Sequence, residues 1–287
     1  MVVPAAAPAP GVSVTGLVIR ACLFLLFVRA GGMVFGGVLY WLFDSLLVAA
    51  AAGLFLAAAA ATAVVVRVFE RGRLEDVGLA WWPSGSRSLF DGMAAGIGAG
   101  LAATLLPAAA GLASIVRSSE PEMAFSAGKF LFVTALLWFG AAGEELMFRG
   151  YAFQILLRRF GPWWTMPPFA VLFALAHVGN PNANWPGLLN TGLWGLVLGY
   201  AFYRAGNLWL PIGLHFGWNW ALPLLGVRVS GFTLGLTGYT LQWKAGPLWS
   251  GGEYGVEGGL PGAAAALLLG LWLWRRKTQP RAAAGVS

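Results

Sequence analysis

The chain has 287 residues, 59% hydrophobic and only 10% charged, with a formal net charge of +7. Soluble domains carry about 25% charged residues, so a soluble globular protein is excluded, and several apolar runs reach the roughly 20 residues that cross a bilayer. In such a chain the Lys and Arg excess records which loops stay in the cytoplasm, so no nucleic-acid partner is expected.

The expected fold is all-α, a polytopic transmembrane helical bundle of about eight spans. Residues 1–13 read as a disordered Ala/Pro-rich tail without the basic region of a signal peptide. Residues 14–274 read as a single transmembrane domain with a core over 127–225, and 275–287 as a basic tail. The first apolar segment, 17–43, carries Arg20 and Arg29, expected to snorkel to the headgroups or to pair with Asp44. It also carries Cys22, the single cysteine, expected to be packing; one cysteine excludes an internal disulfide and a Cys-cluster metal site. The second segment is 45–66. The third, 89–113, holds Gly92, Gly96 and Gly100 at a spacing that lets another helix approach closely. The fourth starts near Ala127 and is expected to continue helical to Phe160. The fifth is 163–178, the sixth 187–203 and the seventh 208–225. A Gly- and aromatic-rich loop, 226–258, precedes the eighth at 259–274; it reads as a cover for the outer mouth of a site, a partner surface or a passive connection.

Loop charges set the expected orientation. Arg67, Arg71, Arg73, Arg87, Arg158, Arg159, Arg204, Arg275, Arg276, Lys277 and Arg281 fall on one side, against Arg117, Lys129, Arg228 and Lys244 on the other. The positive-inside bias places both termini in the cytoplasm.

The fourth segment contains Glu144-Glu145-Leu146-Met147-Phe148-Arg149, three charges in six positions after an uncharged run over 130–143. At the centre of a spanning helix each such charge costs roughly 2.5–3.5 kcal/mol on insertion scales, so pairing and a role are expected. Glu145 and Arg149 stand four apart, acid first, the favourable order for a helical ion pair. Glu144 points about 100° away and is left for something else. The alternative is a helix that ends at the headgroups, where charges are common.

Both histidines of the chain lie inside apolar segments. Phe173 and His177 form Phe-x-x-x-His, and His215 and Asn219 form His-x-x-x-Asn; each pair shares one helical face. Singly, Phe173 reads as core packing, each histidine as a hydrogen-bonded core residue, and Asn219 as a helix–helix hydrogen bond. Measured along continuous helices, Glu144 and His177 lie about 24 Å and 22 Å from the cytoplasmic ends of their segments, so they can meet. His215 and Asn219 come out shallower, at roughly 10–18 Å.

Together these groups suit hydrolysis. A carboxylate and a neutral imidazole can hold a water and take its proton, while a second histidine and an amide can donate to the oxygen of a tetrahedral intermediate. Glu144, His177 and His215 also make up a recognised catalytic shell for a divalent metal such as zinc, and the sequence leaves both chemistries open. There is no Gly-x-Ser-x-Gly, which disfavours a serine protease, and Asp44 and Asp91 lack the setting of an aspartyl pair. An ion-coupled transporter would also use buried ionisable groups, but the chain shows no inverted repeat. A non-enzymatic immunity or scaffold protein is the third class.

The ordered set Glu144-Glu145-x-x-x-Arg149, Phe173-x-x-x-His177 and His215-x-x-x-Asn219 resembles the CAAX-protease and bacteriocin-processing family of intramembrane endopeptidases, with weaker similarity over 75–79 and 252–258. The resemblance implies that Glu144 and His177 activate water, that His215 and Asn219 form the oxyanion site, and that Glu145 and Arg149 support its geometry. It implies a membrane-associated peptide or protein as substrate. The eukaryotic relatives cut prenylated CAAX tails, whereas this composition suggests a bacterial chain in the cytoplasmic membrane, where that substrate is not expected.

Overall fold

A computed structural model describes residues 12–81 and 83–276; the ends of both expected tails, 1–11 and 277–287, lie outside the described residues. All eight apolar segments are helical. They form α1 (Val14–Phe43), α2 (Leu46–Val65), α3 (Ser84–Ala109), α4 (Ala127–Arg149) and α5 (Tyr151–Phe160) from the fourth segment, α6 (Pro162–Ala176), α7 (Trp185–Ala205), α8 (Trp209–Ala221) and, from the eighth, α10 (Leu260–Arg275); the short α9 (Pro247–Ser250) lies in the loop before it. Strands β1 (Ala113–Arg117) and β2 (Tyr239–Trp243) pair antiparallel, with Ile115 opposite Leu241.

Four helical stretches are long and apolar enough to cross a membrane: α1, α2 with its extension to Glu70, α3, and the α4–α5 stretch. The expected count of about eight spans is therefore not carried by length. With 15 and 13 residues, α6 and α8 rise only about 20–23 Å against a hydrocarbon core of about 30 Å. Nearly every residue of α8 from Leu210 to Trp218 is buried, the mark of a helix enclosed by others.

Glycine brings α3 and α8 together. A methyl group at Gly92 would lie 2.4 Å from the Leu210 carbonyl oxygen, and one at Gly96 2.2 Å from that of Leu214. Gly213 and Gly217 press back at 2.2 Å and 2.4 Å from the Leu89 and Met93 carbonyls. This close approach sets the height of His215 and Asn219 on α8. Gly96→Ala is expected to cost at least about 1–3 kcal/mol through overpacking, read as a lower Tm in detergent. Gly98→Ala, on the same helix with open space around it, is expected to leave Tm unchanged.

Several expectations change. The fourth segment is not one continuous helix: Gly150, at φ −73° and ψ −139°, separates α4 from α5. The depth estimated for Glu144 counted through that break; those for His177 and His215 did not. Arg20 pairs with Glu70 at 3.0 Å and stacks over Phe69, not with Asp44; Asp44 instead ends α1 in the left-handed conformation. Cys22 is exposed on α1 rather than packed inside. Asp91, near the start of α3, is paired with Arg276 at 2.6 Å.

Candidate active site

Glu145 and Arg149 form the expected pair, Arg149 Nη1 to Glu145 Oε1 at 3.1 Å, with both side chains fully buried in the bundle. The second guanidinium nitrogen donates to the Gly195 carbonyl on α7 at 2.8 Å. The guanidinium carbon lies 4.6 Å from the centre of the Phe173 ring, a cation–π contact in a desolvated place. That ring also lies 4.7 Å from the His177 ring and 6.0 Å from the His215 ring.

The same Glu145 oxygen accepts from His215 Nδ1 at 2.8 Å. His177 is the residue after the end of α6, and its Nδ1 lies 2.7 Å from the Phe173 carbonyl. A carbonyl only accepts, so Nδ1 of His177 carries the proton. A carboxylate likewise assigns the Nδ1 proton to His215. Both histidines therefore turn Nε2 toward one place, and Glu144 is there. Its Oε2 stands 3.7 Å from His177 Nε2 and 3.9 Å from His215 Nε2. This oxygen is buried and makes no hydrogen bond. Gly143 presses α4 against the backbone of Phe55 on α2, where a methyl would meet Phe55 N at 2.8 Å, so Glu144 faces the seam between α2 and α4.

Glu144, His177, His215 and Asn219 share the wall of a cavity of about 280 Å³, with Asn180 and Ser230 opposite and Leu47, Ala51 and Leu54 of α2 as its apolar side. Asn219 is half-buried, one turn beyond His215 on the same face. Two larger hollows, about 540 and 730 Å³, are apolar grooves between α3 and α10 and between α6 and α7. No titratable side chain lines either, so chemistry and not volume picks the site.

The zinc set fits poorly. Ligands at about 2.0–2.2 Å in a tetrahedron stand roughly 3.3–3.6 Å from one another, a little closer than the two Glu144–histidine separations of 3.7 and 3.9 Å, and among the described residues no three His, Cys, Asp or Glu side chains group as metal ligands.

The model of the type II CAAX prenyl endopeptidase Rce1-like family matches residues 126–221. That third of the chain contains all three motifs. Residues 126–221 are similar to that family. The match agrees with the resemblance drawn from the motifs and implies a protease; with the apolar helices it implies an integral membrane protein. No curated protein and no solved structure gives a significant match.

The matched stretch does not hold all of the site. Ser230 and Glu257, from the 226–258 loop, also reach it: Glu257 is buried beside Trp218, and Ser230 lies in the left-handed region at φ +47°. Tyr254, in the same loop, meets Thr191 of α7 at 3.2 Å. Burial first, and then the charge of Glu257, push its phenol up to about 12, so it remains a neutral hydroxyl. Sequence reasoning passed over these residues because polar groups in a Gly-rich loop ordinarily face water. The one signal toward them was the weak family similarity over 252–258.

Proposed function

We propose that this chain is an intramembrane endopeptidase that hydrolyses a peptide bond in a membrane-associated peptide or protein. The observation that carries the reading is the convergence of two imidazole Nε2 atoms on an unbonded, buried carboxylate oxygen. Glu144 Oε2 and His177 Nε2, two acceptors facing one another across 3.7 Å, need a shared proton donor. A water molecule supplies its protons to Glu144 and His177 and is thereby aligned as nucleophile.

In the proposed sequence the water oxygen attacks the substrate carbonyl carbon while Glu144 takes a proton. The carbonyl oxygen becomes an oxyanion held by His215 Nε2–H and the Asn219 amide. Glu144 then passes its proton to the amide nitrogen, the C–N bond breaks, and a carboxylic acid and an amine leave. For His215 to donate from Nε2 while Nδ1–H stays on Glu145, it acts as imidazolium. The charges of Glu144, Glu145, Arg149 and His215 then sum to zero, which a buried centre favours.

The seam between α2 and α4 supports entry of an apolar segment from the lipid, since the cavity wall on that side is Leu47, Ala51 and Leu54. The positive loops support a bacterial cytoplasmic membrane with both termini in the cytoplasm. Arg204 at the end of α7 donates to the Trp274 carbonyl at the end of α10 at 3.1 Å, and Arg276 reaches Asp91 near the start of α3, so three of the basic helix ends lie together. Purified protein in liposomes, given a pool of apolar membrane peptides with and without a C-terminal prenyl group, tests the proposal by mass spectrometry. Internal cuts with a new carboxyl terminus are expected. Intact peptides throughout, with the protein folded, would sink it.

A further inference from the structure

We infer that Glu257 is a positioning residue of this centre: its carboxylate sets the separation between the two histidine-bearing elements. The inference rests on the hydrolytic reading of Glu144, His177 and His215. It comes from a chain of bonds that starts outside the three motifs.

Glu257 Oε1 accepts from the indole N–H of Trp218 at 2.8 Å. Trp218 lies on α8 immediately before Asn219 and three residues after His215, and its ring packs 4.4 Å from that of Trp194 on α7. Glu257 Oε2 accepts from the Ser230 backbone N–H in close contact and from its hydroxyl at 3.1 Å. The Ser230 carbonyl in turn accepts from the Asn180 side-chain amide at 3.2 Å, and the Asn180 backbone N–H donates to the His177 carbonyl at 3.1 Å. One carboxylate thus joins α8 to the turn that carries His177, and every bond to it comes from a neutral donor, so its charge is met by hydrogen bonds alone.

The anchor itself is held. Asn190 of α7 donates to the main-chain carbonyls of Glu257 and Gly259 at 2.8 and 3.0 Å. A small cavity of about 20 Å³, bordered by Glu257, Ser230, His177, His215 and Asn219, places the clamp beside the reacting groups. Ser230 is kept in its left-handed conformation by partners on both sides. Bonds to an ionised acceptor are shorter and stronger than neutral ones, which suits a strut between two separate elements.

The test uses full-length protein with Glu257→Gln, Trp218→Phe and, as control, Glu253→Gln, an exposed residue of the same loop. Glutamine keeps the size of the side chain but offers one acceptor oxygen and turns an NH₂ toward a donor. The readouts are kcat and KM on a peptide that the wild type cuts, Tm, and the imidazole ¹⁵N spectrum, which holds two rings because the chain has two histidines. Glu257→Gln is expected to lower kcat about tenfold or more, since misplacement by about 1 Å can cost 10²-fold, with KM nearly unchanged. Signals of both rings shift. Trp218→Phe, which removes the indole N–H that joins Glu257 to α8, shifts the His215 ring; Glu253→Gln shifts neither.

A Glu257→Gln protein that stays folded with wild-type kcat and unmoved ring signals overturns the inference. So does one whose Tm falls while its folded fraction keeps kcat and both signals, for Glu257 is then a brace of the loop alone. If Glu257→Gln fails to fold, Trp218→Phe decides in the same way through the His215 signal. If the wild type cuts no peptide, the hydrolytic reading fails, and the ¹⁵N spectra still decide whether Glu257 sets the pair.

Discussion

Glu144→Gln is expected to abolish peptide cleavage while leaving the protein folded. The two halves of that result come from different observations. Glu144 makes no hydrogen bond through its buried Oε2, and its side chain is 25% exposed to the cavity. Replacing it with an isosteric amide therefore breaks nothing that holds helices together, and Tm in detergent should stay within about 1–2 °C of wild type, the size of a surface-like change. The chemistry has no substitute. An amide cannot take the proton of the attacking water, and loss of a positioned general base costs typically 10²–10⁴-fold. Assay of kcat in liposomes, beside thermal unfolding, checks both halves. Retained cleavage would remove Glu144 from the reaction.

Arg149→Ala is expected to do the reverse, damaging the fold before the chemistry can be measured. Arg149 holds Glu145, the Gly195 carbonyl and the face of Phe173 at once. Deleting it leaves Glu145, fully enclosed, with a charge that only His215 can answer, and breaking one partner of a buried pair typically costs about 3–5 kcal/mol. Low yield and a Tm depressed by many degrees are the expected readout. Arg149→Lys should recover little, because a point charge on a flexible stem cannot serve two acceptors and lie flat on a ring together. An Arg149→Ala protein with wild-type Tm would show that the pair carries no structural weight.

The contrast between these two variants reflects what could be read from the sequence. The Glu145–Arg149 pair is local, four residues apart on one helix, so spacing alone predicts it. That the same carboxylate also receives His215, 70 residues later, depends on the height of α8 against α4. That height is set by the glycine contacts between α3 and α8, of which Gly92, Gly96 and Gly100 announced only that some helix comes close. The Phe-x-x-x-His spacing placed Phe173 and His177 together, yet it could not show that the ring lies against Arg149 or that the Phe173 carbonyl fixes the His177 tautomer. Arg20 found Glu70 rather than the nearer Asp44 because α2 folds back along α1 and brings its far end to the start of the chain. Glu257 was the least legible of all, since a loop carboxylate becomes a strut only through long-range bonds to Trp218 and Ser230. Gly150, an ordinary residue in the run of the sequence, ends α4 and so spoils any depth counted through it.

The most direct test of the central claim is the imidazole ¹⁵N spectrum of histidine-labelled protein, wild type against Glu144→Gln. With one carboxylate oxygen facing both Nε2 atoms, the substitution is expected to shift the Nε2 signals of His177 and His215 together while both Nδ1 atoms stay protonated. A spectrum in which either ring ignores the change would contradict the account, because the acid and the two histidines would then not share one reaction centre.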